Sequence, residues 1–450
     1  MRLERSALAA ALISSTAAAV EFSGPAEWRT VHTNAVRAWQ AEQRAALPPE
    51  DVWNGVVTDK RRGEVRLLAE AVGHRTGVTA EFLLVGPMSD RAYESAAVTV
   101  ASPGDIARAV VALGVARGGG VGSRPFRFWP CGERVSMKVR RVDGKGAVRE
   151  LQSLVCDAEP SAPLFGEGGL VFAGGRWDSA MTCATDTNLP CSVISLYNEP
   201  GTIFDVPFQV GQSEVYGRLT LAEQLPYGAL LEIAIKPLLP PDGKARVMPL
   251  TVEARPDGGQ VAMTVSRAGE TVLSAGLTET LNWMRDRAEE GRELYVTVVI
   301  DDAMPLRRAV DVARVFCMLD GKGIKLDGKA NNGLFPKAFL PQEKWRERAG
   351  RNPQPFELHV SAEASERPAR RLVFIEEDWN VEGLDPKLTP REYPFEKWEE
   401  LPALVSRASG ADNKVPLLFV FAPADLPLGA FMPGVRAVSE RLPLVYVFAE

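Results

Sequence analysis

The stretch Glu81 to Gly114, EFLLVGPMSDRAYESAAVTVASPGDIARAVVALG, constrains this chain more than any other, because its punctuation admits one local reading. Phe82 to Val85 form a short apolar run, Gly86-Pro87 and Ser89-Asp90 turn the chain, and Ala96, Val98 and Val100 alternate with Ser95, Ala97 and Thr99 at strand period. A helix is expected directly afterwards. Ser102 is placed to accept the N–H of Asp105, Pro103 suits the first helical position, and Ile106, Ala109, Val110 and Leu113 recur at helical spacing. Gly114 suits the left-handed residue that ends such a helix. The segment is a folding unit of two strands and a capped helix, with no reactive group on display.

Around this unit lie 450 residues, more than one ordinary core supports, so about two to four domains are expected. Hydrophobic residues at 46% and charged residues at 24% are globular values and argue against wholesale disorder. Lys and Arg number 52 against 58 Asp and Glu, a net charge of −6 with no long basic cluster, which disfavours a nucleic-acid partner.

Residues 1–19, MRLERSALAAALISSTAAA, carry Arg2 and Arg5, an apolar run from Ala7 to Ile13 and a small-residue end at Ala17-Ala18-Ala19, the order of an export signal. No later stretch holds the roughly 18 unbroken apolar residues of a membrane span. The expectation is a periplasmic or otherwise exported chain cleaved near Ala19. Five cysteines fit an oxidising compartment without proving it. Cys183 with Cys191, and Cys131 with Cys156, are candidate disulfides, with ordinary half-buried thiols the equal alternative. Cys317 falls on an apolar helical face.

In chain order, residues 20–52 read as a leader segment with a helix over Asn34 to Ala46, and β-rich sequence begins at Trp53. The glycine run Arg117 to Ser123 follows a helix and precedes Pro125-Phe126-Arg127, the wrong context for a phosphate loop, and reads as solvated. Strands are expected over Val135 to Val142, Leu170 to Ala173, Val193 to Tyr197 and Leu230 to Ile235. After a Pro/Gly-rich connector, Val261 to Leu273 reads as a hairpin, Leu277 to Ala288 as a helix, Leu294 to Ile300 as a buried strand, Ala309 to Cys317 as a second helix and Ile324 to Leu326 as a short strand. Residues 329–366 read as a linker with one short helix, anchored by Phe335, Phe339 and Trp345. The strand, acid-containing turn, Pro-Leu and helix of VTVVIDDAMPLRRAVDVARVF return in LLFVFAPADLPLGAFMPGVRAV, an internal repeat of pattern.

GVVTDKRRGEVRLLAEA, EFLLVGPMSDRAYES, SPGDIARAVVALG, GGLVFAGGRW and ATDTNLPCSVISLYNEPGTIFDVP together resemble the YdjY-like domain, over roughly residues 53–240. That resemblance implies a β-rich exported or envelope-associated domain, with Glu94 and Asp105 as its polar motif residues. Residues 257–328 and 367–450 each resemble the periplasmic domain of the ExbD/TolR family. That likeness implies two small α/β sandwich modules that dimerise or dock envelope partners, making the whole an α+β multidomain chain. Energy transduction is not implied, because the membrane helix that carries the working carboxylate in that family has no counterpart in this sequence.

A search for chemistry finds little. His32, His74 and His359 stand in no metal-ligand spacing, and no GxSxG elbow, Walker loop or nucleotide fingerprint occurs with its flanks. Glu376-Glu377-Asp378 and Glu399-Glu400 read as solvated faces. No catalytic residue, metal or cofactor is assigned. Glu94, Asp301, Asp302 and Asp425 are the candidate interaction residues, the three aspartates doubling as turn or helix N-terminal caps. The leading expectation is a non-catalytic envelope protein that binds a protein or cell-wall component and can form a homo-oligomer. The alternative is an exported hydrolase with an acidic site at a domain junction.

Overall fold

The computed structural model describes residues 26–123, 126–127, 129–158, 169–238, 245–321, 324–326, 353–361, 370–378, 387–408, 415–439, 441–442 and 444–450. The expected export signal (1–19) and the anchors Phe335, Phe339 and Trp345 lie outside the described residues. Sheets dominate a mixed α/β chain, and among the described residues no helix is long and apolar enough to cross a membrane. Two compact units emerge, one of residues 1–121 and 129–244, the other of 122–128 and 245–450.

In the first unit, the Glu81 to Gly114 segment folds as its punctuation dictates. Phe82–Val85 and Ser95–Thr99 are strands, and Pro103–Ala112 is a helix whose Asp105 N–H donates to Ser102 Oγ at 3.1 Å. Gly114 takes φ +87° behind it. The two strands pair in parallel, and Ser95–Thr99 also pairs antiparallel with Glu64–Ala71. From Glu64–Ala71 the sheet runs through Leu230–Pro237, Arg134–Arg141, Leu170–Phe172, Phe204–Asp205 and Ser192–Ser195 back to Phe82–Val85, so it closes on itself.

Alternation along Glu64–Ala71 sets the two sides of that closed sheet. Val65, Leu67, Ala69 and Ala71 join one apolar core, together with Ile106, Ala109 and Val110 of the capped helix. Leu68 points into a second, smaller cluster with Val36 and Trp39 of the helix Ala26–Ala46. Trp39 also donates its indole N–H to buried Glu232 at 2.8 Å, and Arg140 caps the same carboxylate. The leader helix is therefore fixed by an apolar patch and one satisfied buried charge.

The glycine run is more ordered than its composition suggests. Gly119 exchanges two backbone bonds with Cys131, at 2.7 and 2.8 Å, and a Cβ on Gly118 would lie 1.7 Å from the Cys131 carbonyl oxygen. The glycine there permits close backbone approach on one side while Arg117 and Gly118 stay exposed on the other.

In the second unit two modules share one plan. The first orders its strands as Glu270–Gly276, Gln260–Arg267, Val247–Asp257, Glu293–Ile300 and Ile324–Leu326, with helices Leu277–Glu289 and Leu306–Leu319. The second orders Lys387–Pro394, Arg370–Asp378, Pro353–Val360, Val415–Ala422 and Leu444–Ala449 in the same way, with helices Leu401–Ala408 and Met432–Val438. In each, the first two joins are antiparallel and the last two parallel.

Each central strand falls where the sequence suggested a connection. Val247–Asp257 takes in Arg255-Pro256-Asp257, and Pro353–Val360 belongs to the segment read as a linker. Pro256 is tolerated because the ladder with Glu293–Ile300 ends at Ala254, so its missing N–H faces no partner from that strand.

One apolar core runs through both modules, from Leu250 to Val447. The modules meet at their Pro-Leu turns around a local two-fold relation. Leu306 N–H donates to Leu426 O at 2.9 Å and Leu428 N–H to Met304 O at 3.0 Å. Arg307 N–H donates to Ala424 O and Gly429 N–H to Asp302 O, both at 2.7 Å. Pro305 faces Pro427 at the centre.

Candidate functional site

The acids that converge in this structure do so inside the first unit. Glu81 opens the strand Phe82–Val85 and lies between two other segments: its N–H donates to Glu94 O at 3.0 Å, and its carbonyl accepts the Leu196 N–H at 2.9 Å. Its side chain is buried, 3% exposed, and accepts a 2.7 Å bond from Gln212 Nε2. Burial pushes the Glu81 carboxyl up, the Gln212 bond opposes this, and the neighbouring Glu94 carboxylate adds to the rise. Arg91 reaches Glu94 Oε2 at 3.5 Å, too far for a hydrogen bond, so that buried oxygen accepts none.

Tyr197, Asn198 and Glu199 follow the strand Ser192–Ser195 and close the cluster. Tyr197 packs edge-on against Phe82, and burial together with Glu199 and Glu81 pushes its phenol up. Glu199 is half-buried without a side-chain partner among the described residues, and burial pushes it up to about 8. Asn198 ties Glu199 to a fourth acid by donating to Asp205 Oδ1 at 3.2 Å. Asp205 is fully buried, and its Oδ2 has no hydrogen-bond partner among the described residues. Burial holds its carboxyl well above the usual range despite the Asn198 and Val206 bonds. At neutral pH a carboxyl placed as Glu199 is holds its proton and can donate it, which is the property a general acid needs.

Of the candidate residues named from sequence, only Glu94 belongs to this cluster. Asp301 caps its own turn by accepting the Ala303 N–H at 2.8 Å, and Asp302 pairs with Arg436 of the other module at 3.1 Å. Asp425 is exposed beside the module junction. Asp105 pairs with Arg108 at 2.7 Å beside its helix cap. Glu376 pairs with Arg391 at 2.9 Å. Glu81, Glu199 and Asp205 were passed over. For Glu81 and Asp205 the signal was an acid set within or directly before apolar sequence, as in Ile203-Phe204-Asp205-Val206, where burial without a matching base raises the proton affinity; Glu199, followed by Pro200-Gly201, carries no such signal.

All five cysteines are free in the structure, the arrangement of the thiol alternative. Cys183 and Cys191 are buried but turn their thiols to different backbone carbonyls, Arg176 O at 3.4 Å and Asp186 O at 3.6 Å. Burial pushes the Cys191 thiol up to about 11, so it is an unreactive group at neutral pH. Cys131 is half-buried and held in the bridge to Gly119, and Cys156 is exposed on a different strand. Among the described residues no group of three or more His, Cys, Asp or Glu could hold a metal ion.

No family model matches the chain, and no curated protein matches it. A solved structure from Bacteroides thetaiotaomicron VPI-5482, described as a protein with actin-like ATPase fold and unknown function, is similar at 6% identity. The match covers 44% of this chain and 90% of that one with a TM-score of 0.14, and at that score it carries no inference about fold or function.

Proposed function

We propose that the chain is an exported cell-envelope protein that acts by binding, an adaptor whose C-terminal body docks an envelope protein or a cell-wall component. The observation that supports this most is the pairing of two modules of one topology through four reciprocal backbone bonds. A duplicated body offers a partner two similar surfaces, and two contacts on one body raise avidity without any reactive group. The likeness of residues 53–240 to YdjY-like domains, the likeness of both modules to ExbD/TolR periplasmic domains and the export-signal pattern of residues 1–19 support the envelope location. Fractionation and in-cell crosslinking of the tagged chain test the proposal. The expected result is a form lacking residues 1–19 that forms a discrete adduct with an envelope component; a full-length cytosolic protein without adducts contradicts it.

The convergence of Glu81, Glu94 and Glu199 favours a second reading, an exported hydrolase. There Glu199, protonated at neutral pH, would donate to the leaving group while Glu94, beside Arg91, takes a proton from water. On that reading Glu199→Gln lowers turnover of an envelope polymer by about 10²-fold or more. Equal turnover in the variant contradicts it.

A further inference from the structure

The two flanks of the module junction are related by the repeat, but only one is closed. The shift along the chain that carries Glu293–Ile300 onto Val415–Ala422 also carries Pro305 to Pro427, Arg314 to Arg436 and Asp302 to Ala424. On one flank Arg436 reaches across to Asp302 at 3.1 Å and clasps the modules together. On the other, Ala424 stands where an aspartate would be needed, and Arg314 turns to Asp311 of its own helix at 3.9 Å. The clasp is missing there, and a cleft of about 650 Å³ remains between the modules.

The charges lining that cleft are separated by module. The first module contributes Arg307 and Arg308, at the start of the helix Leu306–Leu319, with Asp311 one turn further on. The second contributes Asp425 and Glu450. Among the described residues, none of the side chains of Arg307, Arg308, Asp425 and Glu450 has an ion-pair or hydrogen-bond partner. Half-buried Leu277 and Val261 add apolar surface. The volume falls within the range of small-ligand sites, which favour domain interfaces.

We propose that this cleft is a binding site for a short zwitterionic peptide. Its carboxylate would be held by Arg307 and Arg308, its ammonium by Asp425 and Glu450, and an apolar side chain would lie on Leu277 and Val261. A guanidinium pair matches a carboxylate in geometry as well as charge. This goes beyond the adaptor proposal, since a macromolecular partner can dock elsewhere on the body whether or not the cleft takes a peptide.

Calorimetric titration of the full chain with the tripeptide Ala-Leu-Ala tests the site, with N-acetylated, C-amidated and doubly capped forms as comparisons. The expected result is saturable binding of the free tripeptide, weakened about tenfold by either cap. In an Arg307→Ala/Arg308→Ala variant the C-terminal amide should cost nothing further, and in Asp425→Asn the N-acetyl group should cost less than it does in the parent chain. Circular dichroism of both variants checks that the fold is intact. Equal binding of free and doubly capped peptide, or no saturable binding at millimolar concentration, overturns the proposal.

Discussion

Glu199 shows how one buried acid links the site to pH. Its ordinary value is 4.5, and burial pushes it up to about 8 in the folded chain. Between those values the folded state keeps a proton that the unfolded state has released. Stability therefore falls as pH rises through the window, and the loss is complete above about pH 8. Glu199→Gln removes this contribution. Urea unfolding should show the variant more stable than the parent by about 1–2 kcal/mol at about pH 9, discounted for partial exposure, and little different at about pH 4. An unchanged difference across that range contradicts the assignment. Only part of this was legible beforehand. Glu94 could be named because it stands in a motif, whereas the setting of Glu81, Glu199 and Asp205 is made by strands far apart in sequence, and no local pattern encodes such a meeting.

Local elements were far easier to read than their partners. Ser102, Pro103 and the apolar positions of the following helix specify a cap, a start and a buried face by neighbours alone, and the structure forms all three. The cap is doubled by a distant group: Gly104 N–H donates to Asp186 Oδ1 at 2.6 Å. Ser102→Ala should then cost about 1 kcal/mol in chemical denaturation rather than abolish folding. A loss well above that would mean that Asp186 leaves with the serine. The central strands Val247–Asp257 and Pro353–Val360 were hidden for the opposite reason. Their prolines signal breaks locally, and only the flanking strands show why each is tolerated or even central. The closure of the first sheet was equally hidden, because it depends on Ser95–Thr99 returning to Glu64–Ala71.

Taken whole, the chain couples a closed-sheet unit that holds buried acids to a second unit made of two like modules. The repeat was visible as strand, turn, Pro-Leu and helix, yet nothing in that pattern foretold that the two copies would join through those same turns. A module that meets its own repeat within one chain needs no second chain to complete that contact. The binding account depends on this junction, because two surfaces act together only when the modules move as one body. Gly429 lies at the junction, and a Cβ there would meet Asp302 Cβ and O at 3.2 Å, a tight contact that loosens the strap without emptying the core. Native-state hydrogen exchange of the parent chain and Gly429→Ala is the most direct measurement. The account predicts that the amides of Leu306, Arg307, Leu428 and Gly429 exchange with one shared protection in the parent chain, and that the substitution lowers all four together by about tenfold. Loss of protection at Leu428 and Gly429 alone, with Leu306 and Arg307 unmoved, would contradict it.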